Sequence, residues 1–132
     1  MPFHTSYTDD GGVITTFTGV LTDNDLLDSS RRRYSRLHAL KSWRYLVTDV
    51  SNVSGIELSI ETIQQVTEMH ETAARVNNGL CMVVITPVAD RDRVTDMWGR
   101  FKVPQGWKTY VTDSRADAED WLSANLAGPG NQ

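Results

Sequence analysis

The chain contains 132 residues, of which 39% are hydrophobic and 23% charged, and it carries a net charge of −4. These values are typical of globular proteins and exclude a mostly disordered, collagen-like or coiled-coil chain. The length suits one domain. We therefore expect residues 1–132 to form a single unit, with its core at about 6–126 and a flexible tail at 127–132.

The same composition predicts a cytoplasmic location. The single cysteine, Cys81, lies in the apolar run 80–85, which indicates a buried core residue and fits a reducing compartment. No apolar stretch approaches the ~20 residues needed to cross a bilayer, and the N-terminus has no signal segment. The mild acidity of the chain disfavours nucleic-acid binding as its role.

The first elements along the chain are a predicted hairpin and helix. Residues 6–8 and 13–20 favour strands, and Gly11 and Gly12 between them permit the tight turn of a hairpin. Thr22, with Asp25 three residues later, predicts a capped helix that runs to about position 40. Helical spacing places four residues on its buried face: Leu27, Ser30, Tyr34 and Leu37.

A buried strand and a second helix follow. Residues 45–50 are apolar and predict the strand, which is expected to end in a loop over 51–55. Ser59 is the predicted N-cap of the helix, and Asn77-Asn78-Gly79 is expected to end it in left-handed geometry. The apolar positions of this helix recur at helical spacing: Ile63, Val66, Met69, Ala73 and Val76.

The last third of the chain repeats this alternation. A strand over 80–86 ends before Pro87, a third helix carries an apolar stripe, and a short strand covers 108–111. Ser114 is expected to cap a final helix. The order β-β-α-β-α-β-α-β-α predicts an α/β fold with one mixed, mostly parallel sheet of about five strands and four helices.

Positive charge is concentrated in one segment. Six of the thirteen lysine and arginine residues lie between positions 31 and 44: Arg31, Arg32, Arg33, Arg36, Lys41 and Arg44. A solvated helix face that meets the acidic residues one or two turns earlier is the favoured interpretation. The alternative is an acidic partner, either a protein or a phospholipid.

The element order and three stretches of sequence resemble a known family. Residues 49–54 (Asp-Val-Ser-Asn-Val-Ser) follow a buried strand, Ser59 begins the next helix, and the C-terminal stretch 113–122 completes the pattern. Together they resemble the STAS domain, the fold of sulphate-transporter tails and bacterial anti-sigma-factor antagonists. The C-terminal stretch looks most like the SpoIIAA-like branch of small, largely uncharacterised bacterial proteins, which is grouped with STAS and lipid-transfer folds.

That resemblance implies a regulatory site at the start of the second helix. Family antagonists carry an Asp-Ser-Ser-Gly-type stretch there, and phosphorylation of a serine in it releases a kinase partner. The corresponding residues here are Glu57-Leu58-Ser59-Ile60, so Ser59 aligns with the phosphorylated serine, whereas Leu58 and Ile60 replace the paired serine and the glycine. A phosphate at a helix N-terminus meets free backbone N–H groups, but an N-cap serine needs no phosphate. We name Ser54, Glu57 and Ser59 as candidate contact residues.

A second candidate site is aromatic. The third helix and the turn after it bring together four large side chains that are expected to pack in the core or to line a ligand crevice or subunit interface: Met97, Trp98, Phe101 and Trp107.

Isolated catalytic residues are weaker candidates. His70 begins a zinc-protease-like stretch, but Ala74 stands where the second histidine is needed, so a partly exposed histidine on the helix flank is expected. Asp49 at a strand's carboxyl end is expected to stabilise its turn, with an acid–base role as the alternative.

The sequence therefore favours a non-enzymatic, STAS-like binding or regulatory module that acts through protein–protein contacts. The first alternative is a carrier or sensor of a small apolar, lipid-like ligand in a crevice under the third helix. The second is a small enzyme that uses Asp49. No cofactor or metal is expected, and a homodimer through the third helix is a further hypothesis.

Overall fold

The computed structural model describes residues 2–87, 92, 95–96 and 104–126, and their strands form one sheet. Its spatial order β1-β2-β3-β4-β5 is the order of the strands along the chain. The strands are β1 (Phe3–Tyr7), β2 (Gly12–Thr22), β3 (Tyr45–Glu57), β4 (Cys81–Ile85) and β5 (Lys108–Thr112). β1 is antiparallel to β2, and every other neighbouring pair is parallel.

Four helices can be delimited within the described residues: α1 (Asp23–Tyr34), α2 (Leu37–Leu40), α3 (Ile60–Val76) and α4 (Arg115–Asn125). The predicted α/β fold class, with a mixed and mostly parallel sheet and four helices, is confirmed. The predicted third helix falls mainly outside the described residues, although the backbone at Asp92, Thr95 and Asp96 is helical.

Helix caps account for where three helices begin. Thr22 and Asp25 form the predicted capping box of α1, with the two backbone N–H groups bonded reciprocally at 3.3 Å. Ser59 accepts a hydrogen bond from the Thr62 N–H at the start of α3. Ser114 likewise accepts one from a backbone N–H in the first turn of α4. These caps satisfy donors that the first turn of a helix leaves without intrahelical partners.

Hydrophobic residues pack on both faces of the sheet. On one face, α1, α2 and α3 cover alternate residues of the central strands, including Leu46, Val50 and Val84. On the other face, α4 covers the residues between them, including Val47 and Val83. The central strands are apolar throughout because both of their faces are buried.

The turn between β1 and β2 uses its two glycines differently. Gly11 has a φ of 91°, which an L side chain rarely adopts. Gly12 instead provides space, because a Cβ there would overlap the Tyr45 ring. The predicted hairpin is confirmed, and its turn is held against β3.

Three predictions about element ends were wrong. The first helix ends at Tyr34 and not near position 40, because the backbone of Arg36 leaves the helical region before α2 begins. β3 does not end in a loop at 51–55, because β2 continues beside it and pairs with it as far as Glu57. Asn77 is extended rather than left-handed, and its side-chain amide donates to the carbonyl groups of Leu40 and Trp43.

The buried face of α1 also differs from the predicted one. Leu26, Ser29, Ser30 and Arg33 are buried, whereas Leu27 and Tyr34 are half-buried and pack at the edges of the core. The observed buried face of α1 is rotated from the one that the hydropathy pattern predicts, since Arg33 faces the sheet and donates to Thr15.

Candidate functional site

The candidate site lies where two strands extend beyond the rest of the sheet. β4 and β5 end at Ile85 and Thr112, level with Asp49, whereas β3 continues for eight residues beside the second half of β2. Register shifts between Thr16 and Thr18 and between Gly19 and Val20 interrupt this parallel pair. The extended pair carries the chain directly into α1 and α3, so the starts of both helices lie at the same end of the sheet.

Ser59 connects these two helix starts. Its backbone N–H donates to Asp23 Oδ1 at 2.8 Å, and its Oγ accepts from the Thr62 N–H at 3.2 Å. The hydroxyl also donates to Thr62 Oγ1 at 3.2 Å. The bond from the Ser59 backbone holds the pKa of Asp23 below its usual value of 3.8, so that carboxylate is charged at neutral pH. The N-cap prediction for Ser59 is confirmed, and the cap faces a negative charge.

The surface around Ser59 is partly apolar and acidic. Among the large hydrophobic side chains that the structure describes, Ile60 is 59% exposed and Val20 is 39% exposed. Val20 pairs with Gly55, one residue beyond Ser54. Ser54 and Glu57 are exposed, as is Glu61 in the first turn of α3. We call the set Ser54, Glu57, Ser59 and Ile60 the α3 surface.

Only one member of the predicted aromatic group lies within the described residues. Trp107 is buried in the cluster that contains Leu40, Leu46 and Met82, and its Nε1–H donates to the Asn77 carbonyl at 2.9 Å. Its nitrogen and ring therefore both have protein partners. Met97, Trp98 and Phe101 lie outside the described residues, so the crevice and dimer hypotheses remain predictions.

Asp49 stabilises its own turn and a neighbouring helix. Its Oδ1 accepts hydrogen bonds from the Ser51 backbone N–H at 3.0 Å and from the Ser51 hydroxyl at 2.6 Å. Its Oδ2 forms an ion pair with Arg115 of α4 at 3.1 Å. Asp49 is buried in the middle of β3, so the prediction that it lies at the carboxyl end of the strand was wrong. Since both oxygens are bonded, the geometry favours the structural interpretation over an acid–base role.

His70 is buried, so the prediction of a partly exposed histidine was wrong. Its Nδ1 lies 2.8 Å from the Tyr34 hydroxyl, and its ring contacts those of Tyr34 and Trp107. Burial, with a smaller contribution from the charge on Arg33, lowers its pKa to about 3. Cys81 is buried as predicted, and burial raises the pKa of its thiol, which disfavours a reactive thiolate.

The basic segment is not uniformly solvated. Arg31, Arg32 and Arg36 are exposed as predicted, but Arg33 is only 5% exposed. The hydropathy pattern gave no sign of this, because it assigns an arginine to the solvent side of a helix. Arg33 is therefore a candidate functional residue that the sequence pattern did not identify.

Among the described helices, none is long and apolar enough to cross a membrane. In the same part of the chain, no group of three or more His, Cys, Asp or Glu side chains is arranged to hold a metal ion.

Comparison with solved structures identifies the fold. The anti-sigma factor antagonist SpoIIAA in its unphosphorylated form matches with a TM-score of 0.62 and 11% identity, over 92% of this chain and 96% of that one. The phosphorylated form of the Bacillus cell fate determinant SpoIIAA matches with a TM-score of 0.55 and 13% identity, over 91% and 98% of the two chains.

A third solved structure is similar over the same span. An uncharacterised protein of the DUF3478 family from Shewanella loihica, which has a SpoIIAA-like fold, matches with a TM-score of 0.58 and 16% identity, over 91% of each chain. No family model matches the sequence. No curated protein gives a significant match. The chain thus has a STAS-like fold of the SpoIIAA type, as its sequence pattern indicated.

Proposed function

We propose that this STAS-like chain is a non-enzymatic regulatory module that binds another protein through the α3 surface. The observation that carries the proposal is the exposure of Ile60, whose side chain is 59% exposed directly after Ser59 at the start of α3. Exposed hydrophobic side chains with polar residues around them are typical of protein-binding surfaces. SpoIIAA, which shares the fold, is an anti-sigma factor antagonist with a phosphorylated form.

Charge defines the partner that this surface would fit. Asp23 bonds to Ser59, and the exposed residues Glu57 and Glu61 lie two positions before and after it along the chain. A partner with a basic rim around an apolar pocket would complement both features. Such complementarity chiefly raises the association rate and the specificity of a complex.

Ser59 is the proposed position of control. A phosphate on its hydroxyl would add about −1.5 to −2 charges and displace the hydrogen bond from Thr62. The helix N-terminus would favour this charge by about 0.3–2 kcal/mol. The carboxylate of Asp23, already bonded to the Ser59 N–H, would oppose it. This repulsion would direct a phosphate on Ser59 away from Asp23, so that the modified residue presents its charge outwards to the partner.

Affinity purification with matched variants tests the docking surface. Wild type, Ile60→Asp and Ser123→Asp are used as baits, since Ser123 is an exposed position on α4 at the other face of the sheet. We expect a protein retained by wild type and Ser123→Asp but lost with Ile60→Asp. Equal capture by all three baits would refute the surface.

A second pair of variants tests the control by charge. Asparagine and aspartate are both good N-caps, so Ser59→Asn and Ser59→Asp both keep α3 capped and differ only in charge. We expect Ser59→Asn to retain the partner and Ser59→Asp to bind it about tenfold more weakly. Identical binding by the two variants would contradict the switch while leaving the docking surface intact.

A further inference from the structure

The groove between β1 and the C-terminal half of α1 contains an unusual arginine. Arg33 is 5% exposed, and its NH2 group donates to Thr15 Oγ1 at 3.1 Å. Its Nε is buried and has no hydrogen-bond partner. Among the residues that the structure describes, no carboxylate lies within ion-pair distance of this guanidinium. An arginine has five N–H donors, and the protein leaves at least the buried Nε–H of Arg33 without a partner.

Contacts within the chain do not fully offset the cost of burying the Arg33 guanidinium. Removing a guanidinium from water is costly. The contact of Arg33 with the Tyr34 ring, at 5.7 Å from the ring centroid, and its hydrogen bond to Thr15 each offset only part of that cost. An apolar side chain of similar length would fill the same space without the desolvation cost, so packing alone does not explain an arginine here.

Two further arginines line the same groove. Arg32 and Arg36 lie on either side of Arg33, with guanidinium carbons 5.5 Å from the Phe3 ring centroid and 5.8 Å from that of Tyr7. These ring contacts hold the two flexible side chains against β1. The hydroxyl-bearing residues Thr5 and Ser35 also line the groove, which has a volume of about 470 Å³. Volumes in this range are typical of sites for small molecules.

We infer that this groove, which we call the arginine groove, binds the phosphate group of a small phosphate ester. The charge of the groove supports that class of ligand. Three arginines line it, and the carboxylate of Asp28, 3.4 Å from Arg32, neutralises one of them, so the net charge is about two positive charges. A phosphate carries about −1.5 to −2 charges at neutral pH and accepts the paired N–H groups of a guanidinium. Both side chains of the Asp28–Arg32 pair are exposed, so the pair is weak and does not block the site.

The arginine groove is separate from the α3 surface. Asp23, which bonds to Ser59, and Arg33 are ten residues apart on α1, or about 15 Å along the helix axis. The inference therefore does not depend on the proposed protein-binding role, and variants at one site leave the other unaltered.

Titration with inorganic phosphate, followed by NMR of backbone amides at constant ionic strength, tests the site. We expect saturable shifts in β1 and the last turn of α1, with a dissociation constant of about 1 mM or lower. Arg33→Met and Arg36→Gln should each weaken binding on the order of tenfold. Arg31→Gln is the matched control, since Arg31 is exposed on the same helix but does not line the groove, and it should change binding by less than about twofold.

Three outcomes of that titration would overturn the inference. The first is a set of chemical shifts that follow ionic strength and never saturate. The second is an equal loss of phosphate affinity in Arg31→Gln and Arg36→Gln. The third is a phosphate affinity that Arg33→Met leaves unchanged. Arg33→Met is expected to be at least as stable as wild type without phosphate, because it removes an unpaired buried charge. If that variant does not fold, the exposed variants Arg36→Gln and Arg32→Gln decide the result.

Two probes then distinguish the source of the phosphate. Glycerol 3-phosphate represents a soluble ester, and phosphatidylcholine vesicles containing phosphatidic acid represent a lipid headgroup. If the protein binds the vesicles, and if inorganic phosphate competes with this binding and Arg36→Gln abolishes it, the ligand is a lipid headgroup. Binding of glycerol 3-phosphate without vesicle binding would assign a soluble ester. Failure of both probes would overturn the site as one for phosphate esters.

Discussion

Acidification should destabilise this protein through one buried histidine. The pKa of His70 is about 3 in the folded chain and about 6.5 in an unfolded one. Between these values the unfolded chain binds a proton that the folded chain does not. The stability that the neutral imidazole provides is therefore complete above pH 6.5 and is lost as the pH falls.

The size of the effect follows from the same two values. Each pH unit below 6.5 costs about 1.4 kcal/mol, so the free energy of unfolding should fall by about 2 kcal/mol between pH 7.5 and pH 5. Asp10 and Asp23 contribute little in this range. The pKa values of Asp10 and Asp23 are both lowered from 3.8, so the stability that these groups provide is lost only below about pH 4.

Urea denaturation followed by tryptophan fluorescence between pH 7.5 and pH 5 measures this loss. His70→Asn keeps an acceptor for the Tyr34 hydroxyl and does not titrate, so its stability should be nearly constant over the range although lower at pH 7.5. His4→Asn is the control, because His4 is exposed, and it should keep the slope of wild type. A wild-type stability that does not change with pH, or an equal slope in His70→Asn, would refute the reasoning.

Three further variants test the packing and the caps by urea denaturation at pH 7.5. Gly106→Ala should destabilise by more than about 1 kcal/mol, because Gly106 has a φ of 99° and a Cβ there would overlap the Asn78 carbonyl; an unchanged midpoint would show that the turn relaxes freely. Ser59→Ala should cost about 1 kcal/mol through loss of the hydrogen bond from Thr62, whereas a neutral result would mean that Asp23 alone anchors the start of α3. Leu46→Ala should cost about 2–5 kcal/mol because Leu46 is fully buried, and a loss below 1 kcal/mol would indicate that the core closes over the cavity.

The sequence predicted best those features that depend on neighbouring residues. The capping box at Thr22 and Asp25 and the N-cap at Ser59 are local patterns, and both are confirmed. The mixed sheet followed from the hairpin and the alternation of strands and helices. Each of these features depends on residues a few positions apart.

The features that it missed depend on contacts between distant segments. β3 extends to Glu57 only because β2 lies beside it, and no local sequence pattern near Gly55 indicates this pairing with β2. Arg33 and His70 are polar, so their burial could not follow from hydropathy; it results from the way α1 and α3 meet above the sheet. The two residues with the least ordinary environments were therefore the hardest to predict.

The agreement between strand order and chain order has a consequence for synthesis. Since each strand pairs with the next one along the chain, the sheet can grow at a single edge in the direction of translation. Helix α4 follows all five strands along the chain, and among the described helices it is the one that covers Tyr45, Val47 and Val83. Until residues 115–125 have left the ribosome, these side chains lack that cover, and they form a surface on which a chaperone or an aggregating neighbour would act.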